Sequence, residues 1–189
     1  MAMTTCARGT LFLIAGPSGA GKDTLIDGAR KALAGDRRLV FVRRVVTRPA
    51  DAGGEAHEPS TVADFLREEA AGGFALSWSA HGLHYGIRRA FLDDLAAGID
   101  VVASVSRSVV DEARRRYAPV TIIEVTAAPA LLAERLGARG RESAAEIAER
   151  VARAGAVAVS GPDVVRIDNS GAIAEGVARL RAALGRPEA

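Results

Sequence analysis

Apolar positions along the chain fall into two patterns, short unbroken runs and longer stretches spaced for one face of a helix. Residues 11–15 are five apolar residues in succession, as in a strand buried on both faces, and they run into a glycine-rich turn at 16–21 followed by helical spacing over 23–33. Residues 39–46 predict a second strand, and 47–60, with Pro49, Gly53, Gly54 and Pro59, predict a loop. Ser60 or Thr61 is placed to cap a helix reaching about residue 71. Residues 74–78 and 83–85 flank Ala80-His81-Gly82 as a hairpin, and 88–97 is amphipathic with Gly98 as its stop. Further β-branched runs at 101–105, 120–125 and 164–167 alternate with helical stretches near 109–117, 129–136, 143–156 and 172–184. Strands alternating with helices imply an α/β fold with a parallel sheet covered by helices on both faces. No repeat or linker divides the chain, so the expectation is a single domain over 1–189, with a core at 9–46 and 99–184 and a small mixed insert at about 47–98.

Composition narrows the class. A chain of 189 residues buries roughly 70% of its unfolded surface. With 49% apolar and 25% charged residues it reads as soluble and globular, and no apolar run approaches the ~18 residues of a membrane span. The single cysteine, Cys6, excludes an intramolecular disulfide and a cysteine metal cluster and lies outside every motif. The apolar run behind Arg8 is too short for the core of an export signal, so a cytoplasmic location is expected. Net charge is +2, and of 25 basic residues only Lys22 and Lys31 are lysines. The arginines are dispersed, which argues against nucleic acid and suits phosphate groups on small ligands.

Gly16-Pro17-Ser18-Gly19-Ala20-Gly21-Lys22 fits the G-x-x-x-x-G-K phosphate-binding loop, between a buried strand and a helix as that motif requires. Its glycines let backbone N–H groups turn inward around phosphate oxygens, the helix start adds partial positive charge, and Lys22 reaches the outer phosphates as a compact ammonium. Asp23 stands where a Ser or Thr usually ligates Mg²⁺, with Thr24 next. Asp23 is either a Mg²⁺ ligand, directly or through water, or a cap on the helix.

Two further clusters carry phosphate chemistry. Thr47-Arg48-Pro49, Gly54-Glu55 and Tyr85-Gly86 place Arg48 behind a strand, suited to a second phosphate or to a surface ion pair. Arg135, Arg139, Arg141 and Arg150 surround Gly137 and Gly140, as in a mobile lid at about 137–143 that neutralises charge during transfer, or as in a solvated basic loop. His57, His81 and His84 have no nucleophile motif beside them and read as structural or solvated. A phosphate acceptor needs no general base, because its attacking oxygen is already anionic near neutral pH.

In order and over nearly the whole chain, these motifs resemble the guanylate kinases. The pattern departs where that family carries Asp-x-Asp-Trp-Gln-Gly, since the chain has Ser104-Val105-Ser106-Arg107-Ser108, and the tyrosines expected after Gly54-Glu55 are missing from 56–62. The altered motifs resemble the ribose 1,5-bisphosphate phosphokinases, guanylate-kinase relatives of bacterial phosphonate breakdown. The likeness rests on the phosphate loop through Asp23, Thr47-Arg48-Pro49-Ala50, Ala75-Leu76-Ser77-Trp78, His81-Gly82-Leu83, Tyr85-Gly86, Ser106-Arg107, Arg135-Leu136 and Arg139-Gly140-Arg141-Glu142. It implies a P-loop NTPase fold of the guanylate kinase type and transfer of the ATP γ-phosphoryl group to ribose 1,5-bisphosphate, giving 5-phosphoribosyl 1-diphosphate and ADP. ATP and Mg²⁺ would lie on Gly16, Pro17, Ser18, Gly19, Ala20, Gly21, Lys22, Asp23 and Thr24, with Lys22, Arg135, Arg139 and Arg150 serving transfer. Arg48, Glu55, Tyr85, Ser106 and Arg107 would hold the phosphorylated ribose, and Asn169 would line the adenine or cap a helix. The alternatives are a guanylate or other nucleoside-monophosphate kinase and a non-catalytic guanylate-kinase-like interaction module. A chain that otherwise writes Arg but keeps Lys22 in the loop speaks against the module.

Overall fold

A computed structural model of the chain describes residues 8–49, 56–138, 143–156 and 158–187. The unbroken apolar run becomes β1 (Leu11–Ala15), every residue of which is buried, and the phosphate-loop motif leads into α1 (Lys22–Ala32). The chain then forms β2 (Leu39–Phe41), β3 (Val45–Val46), β4 (Glu58–Pro59), α2 (Val62–Ala70), β5 (Phe74–Ala80), β6 (Leu83–Arg88) and α3 (Phe91–Ala96). It continues through β7 (Asp100–Ser104), a short 3₁₀ turn (Arg107–Val109), α4 (Val110–Arg116), β8 (Val120–Thr126), α5 (Pro129–Gly137), α6 (Ala144–Ala156), β9 (Val164–Asp168) and α7 (Ile173–Ala183).

Five strands form a parallel sheet in the order β2-β7-β1-β8-β9, and four form a second sheet in the order β4-β3-β6-β5. Register is direct, with Leu39 opposite Asp100 in one pair and Ile122 opposite Val164 in another. The chain divides into two compact units, Met1–Leu13 with Gly35–Val120, and Ile14–Ala34 with Thr121–Ala189.

In the first unit the β5–β6 hairpin and α2 enclose a small core in which Phe65 stacks on Phe74 with ring centroids 4.5 Å apart, beside Val45. Tyr117 donates its hydroxyl to the Ala75 carbonyl at 3.0 Å, and burial pushes its pKa up. In the second unit Glu124 stands inside the otherwise apolar β8 at 2% exposure. That burial is tolerated because the carboxylate accepts from Val159 N–H at 3.0 Å and from Arg166 Nε at 3.1 Å. No helix among the described residues is long and apolar enough to cross a membrane.

Three element expectations change. The strand expected over 39–46 is broken, with β2 pairing in the five-stranded sheet and β3 in the four-stranded one. The break falls at Arg43 and Arg44, two consecutive charges that a strand covered on both faces has no room for. The expected loop 47–60 contains β4, which runs parallel to β3 with Glu58 N–H donating to the Arg44 carbonyl and Ser60 N–H to the Val46 carbonyl. Pro59 is accommodated because β4 is an edge. The helix expected from residue 88 starts at Phe91, since Arg88 belongs to β6, pairs opposite Phe74 and is held by Glu58 and Glu68. These carboxylates raise the Arg88 pKa, the hydrogen bond to Glu68 contributing most. The helix-cap expectation holds at Thr61, whose hydroxyl accepts from Asp64 N–H at 3.1 Å.

Candidate active site

The phosphate loop is shaped by residues outside its own motif. Gly16 has φ 142° and packs so close to the Val125 backbone that a Cβ would fall on the Val125 carbonyl. Gly21 is the N-cap of α1 at φ 86°, and there a Cβ would meet the Asn169 amide nitrogen. Glycine is therefore required at both positions for conformation and for space. The loop carbonyls of Gly16 and Pro17 each accept from Lys22 Nζ at 2.9 Å, which holds the ammonium over the loop. With Gly21 at the cap and no side chain capping α1, its first-turn N–H groups open onto the loop, the arrangement that binds anions. Asp23 lies in that first turn, and the N-cap itself is Gly21.

Asn169 and Arg135 brace the loop from β9 and α5. Asn169 is 3% exposed, and its Nδ2 donates to the Ala20 carbonyl at 2.7 Å. Its Oδ1 is buried with no hydrogen-bond donor among the described residues. The helix-cap reading of Asn169 is corrected, because the N-cap of α7 is Ala172. Arg135 donates through Nη2 to the Asn169 carbonyl at 3.1 Å and through Nη1 toward the Gly19 carbonyl at 3.4 Å. One guanidinium thus ties the loop to the end of β9.

The residues expected to hold the acceptor cluster in part. Thr47 is zipped to β6 in two bonds, its N–H donating to the His84 carbonyl at 3.1 Å and its hydroxyl accepting from His84 N–H at 2.9 Å. That fixes where Arg48 leaves the sheet. His57 Nε2 lies 3.0 Å from the Arg48 carbonyl and its Nδ1 lies 3.4 Å from Arg48 Nη2. Arg48 lines a groove of about 630 Å³ with Thr47, Pro49, Ser60 and Thr61, and its Nε is buried with no acceptor among the described residues. Tyr85, opposite Val46, stacks on Trp78 at 5.4 Å with rings 3° from parallel, and Arg44 lies 5.6 Å from the Tyr85 ring centre. Sequence reasoning passed over Arg44 and read His57 as structural or solvated. Arg44 immediately precedes β3, two positions before Val46, which was the available signal for the first, and nothing local marks the second as buried.

Ser106 and Arg107 follow β7. The Ser106 hydroxyl caps the 3₁₀ turn, accepting from Ser108 N–H at 3.2 Å, and Arg107 is half-buried within that turn. Arg150 is half-buried on α6. Arg139, Glu55 and most of the expected lid lie outside the described residues. At the start of α6, Ser143 and Glu146 form a reciprocal capping box in which Glu146 accepts from Ser143 N–H and hydroxyl at 2.8 Å each. The Ser143 N–H, and then its hydroxyl, hold the Glu146 carboxyl below its usual range.

No family model matches the chain. Among curated proteins, the chain is 47% identical over 166 residues to the ribose 1,5-bisphosphate phosphokinase PhnN of Brucella melitensis, covering 88% of this chain and 86% of that protein. The chain belongs to the ribose 1,5-bisphosphate phosphokinase family. Its family likeness extends to a bifunctional ribose 1,5-bisphosphokinase-thymidine phosphorylase of Azorhizobium caulinodans, at 46% identity over 182 residues, covering 96% of this chain. The chain spans only 26% of that two-activity protein. Among solved structures, a guanylate kinase from Anaplasma phagocytophilum superposes with a TM-score of 0.68 at 18% identity, covering 95% of this chain and 86% of that one. The chain therefore shares the α/β fold of that guanylate kinase, in keeping with the strand–loop–helix pattern.

Proposed function

We propose that this protein transfers the γ-phosphoryl group of ATP to the 1-phosphate of ribose 1,5-bisphosphate, forming 5-phosphoribosyl 1-diphosphate and ADP, within phosphonate breakdown in the cytoplasm. The observation that carries the reading is the braced phosphate loop of a chain that belongs to a phosphokinase family. Lys22 is held over the loop, Asn169 donates to the Ala20 carbonyl, and Arg135 reaches the Gly19 carbonyl and the Asn169 carbonyl.

In the reaction an oxygen of the acceptor's 1-phosphate attacks the γ-phosphorus. The bond from that phosphorus to the β,γ-bridging oxygen breaks, ADP leaves, and the new bond is the diphosphate linkage. The attacking oxygen is anionic, so no side chain has to remove a proton. Catalysis then consists of positioning and charge stabilisation. We assign Lys22 and the backbone of Gly16, Pro17, Ser18, Gly19, Ala20, Gly21, Asp23 and Thr24 to the ATP phosphates. Arg48, Glu55, Tyr85, Ser106 and Arg107 are assigned to the acceptor, and Arg135, Arg139 and Arg150 to charge on the transferring group. Asn169 serves ATP binding through the loop it supports. The domain is read as one kinase unit with its acceptor-binding insert over 47–98 and its lid over 137–143.

The donor set near the loop fits Mg²⁺. Asp23 and Thr24 offer hard oxygens in the first turn of α1. That is the donor set of an ion shared with nucleotide phosphates and water. Bound there, Mg²⁺ would neutralise phosphate charge.

A coupled ADP-release assay with ribose 1,5-bisphosphate, GMP and AMP tests the proposal. Turnover is expected with the sugar bisphosphate and only background with the nucleotides. A preference for GMP would assign the chain to nucleoside-monophosphate kinase activity, and ATP turnover with none of the three would favour an interaction module.

A further inference from the structure

We propose that Tyr117 is a positioning residue for the acceptor-binding hairpin: its hydroxyl, with Arg116, pins a one-residue bulge in β5 that turns Trp78 onto the face where Tyr85 lies. The inference rests on the reading of Tyr85 as an acceptor ligand.

The bulge is written in the register of β5 and β6. Phe74 pairs with Arg88, but the next pair is Leu76 with Ile87, and from there Ser77 pairs with Gly86, Trp78 with Tyr85 and Ser79 with His84. Ala75 is thus one residue more than β6 matches. Side chains alternate along a strand, so one extra residue exchanges the faces of everything beyond it. Residues 74, 76 and 78 would share a face in a regular strand, whereas here Phe74 and Trp78 lie on opposite faces. The contacts agree with this. Phe74 stacks on Phe65 of α2, and its ring fills the space where a Cβ on Gly86 would fall. On that same face Ser79 Oγ lies 2.9 Å from His84 Nδ1, and the His84 ring lies 5.4 Å from Phe65. Trp78 instead stacks on Tyr85, with Arg44 near the same ring. In a regular ladder Trp78 would turn toward α2, and Tyr85 would lose its stacking partner.

A bulge has to be held, because it takes main-chain groups out of the ladder, and Ala75 is fully buried. Its carbonyl accepts from the Tyr117 hydroxyl at 3.0 Å and from Arg116 Nη1 at 2.8 Å. Both donors come from the end of α4, about which the frame is firm. Tyr117 N–H donates to the Ala113 carbonyl at 2.8 Å, the Tyr117 ring meets Phe91 edge-on at 6.0 Å, and Arg116 pairs with Glu112 at 2.6 Å. Burial pushes the Tyr117 pKa up, so its hydroxyl stays protonated and donates at neutral pH. Removing a donor leaves a buried carbonyl short of a partner and favours return to the regular ladder.

The test combines fluorescence of the substrate-free protein with steady-state kinetics. Trp78 is the single tryptophan of the chain, so its emission reports the hairpin directly. Tyr117→Phe removes only the hydroxyl. It should shift the Trp78 emission and raise KM for ribose 1,5-bisphosphate roughly 3–10-fold, while KM for ATP stays near its starting value. Arg116→Ala, at an exposed position, should move both readouts in the same direction, and it decides the matter if Tyr117→Phe does not fold. Tyr85→Ala should raise the acceptor KM, and on that background Tyr117→Phe should add little. A Tyr117→Phe protein that loses thermal stability while its Trp78 emission and acceptor KM stay unchanged would reduce Tyr117 to packing and overturn the proposal. If Tyr85→Ala raises the acceptor KM and Tyr117→Phe does not, positioning by Tyr117 is wrong. If Tyr85→Ala leaves the acceptor KM unchanged, the assignment of Tyr85 itself is wrong, and the Trp78 emission still decides whether Tyr117 holds the bulge.

Discussion

The side-chain amide of Asn169 donates to the carbonyl of Ala20 at 2.7 Å, joining the end of β9 to the middle of the phosphate loop across 149 residues of sequence. A loop with several positive-φ glycines would otherwise sample many conformations, and this bond, with Arg135 on the Asn169 carbonyl, selects one.

Removing that brace should loosen ATP binding. Asn169→Ala leaves the Ala20 carbonyl without its donor, at a cost of about 1–3 kcal/mol in stability, and should raise KM for ATP more than KM for the acceptor. Gly21→Ala should be harsher, since its Cβ would meet the Asn169 amide while φ is 86°. ATP titration by fluorescence or calorimetry reads both, and unaltered ATP affinity in Gly21→Ala would contradict the braced-loop account.

Lys22 should not be replaceable by arginine. Its ammonium lies 2.9 Å from two loop carbonyls, a space matched to a compact point charge and too tight for a planar fork. Lys22→Arg and Lys22→Ala are each expected to lower kcat/KM by ~10²-fold or more, measured by ADP release.

Asp23→Ala tests the metal reading. Since Gly21 is the helix cap, losing Asp23 should cost little stability yet weaken Mg²⁺-dependent nucleotide binding. The measurement is ATP affinity against Mg²⁺ concentration, where the variant curve should move to higher Mg²⁺. An unmoved curve would leave Thr24 and the phosphates as the ion's ligands.

The Ser143–Glu146 capping box predicts a pH dependence. The Glu146 pKa is lowered by the Ser143 N–H and hydroxyl, so the folded state binds that proton more weakly than the unfolded chain does. Its contribution is complete above the ordinary carboxylate value of 4.5 and disappears as pH falls through the lowered folded value. Ser143→Ala should therefore lower Tm at neutral pH, and the gap from the unaltered protein should narrow as pH falls below that ordinary value. A gap independent of pH would place the loss elsewhere than in the carboxylate.

Much of this protein was legible along the chain because its signals are local. The run 11–15, the glycines behind it and Lys22 specify a strand, a phosphate loop and a helix within a stretch short enough that periodicity and residue type decide each element. Thr61 as a cap and the alternation of strands with helices belong to the same class. The rest depended on partners distant in sequence. Arg43 and Arg44 break the 39–46 run between two sheets, and Arg88 stays in a strand because Glu58 and Glu68 reach it. Asn169, read from sequence as an adenine contact or a helix cap, proves to hold the loop from below, and His57, read as structural or solvated, grips Arg48 at both ends. Sequence alone determined which chemistry the chain carries, since backbone preference and side-chain type are properties of neighbouring residues. Tertiary structure decided which groups hold that chemistry in place, because a buried hydrogen bond is defined by where two remote segments meet.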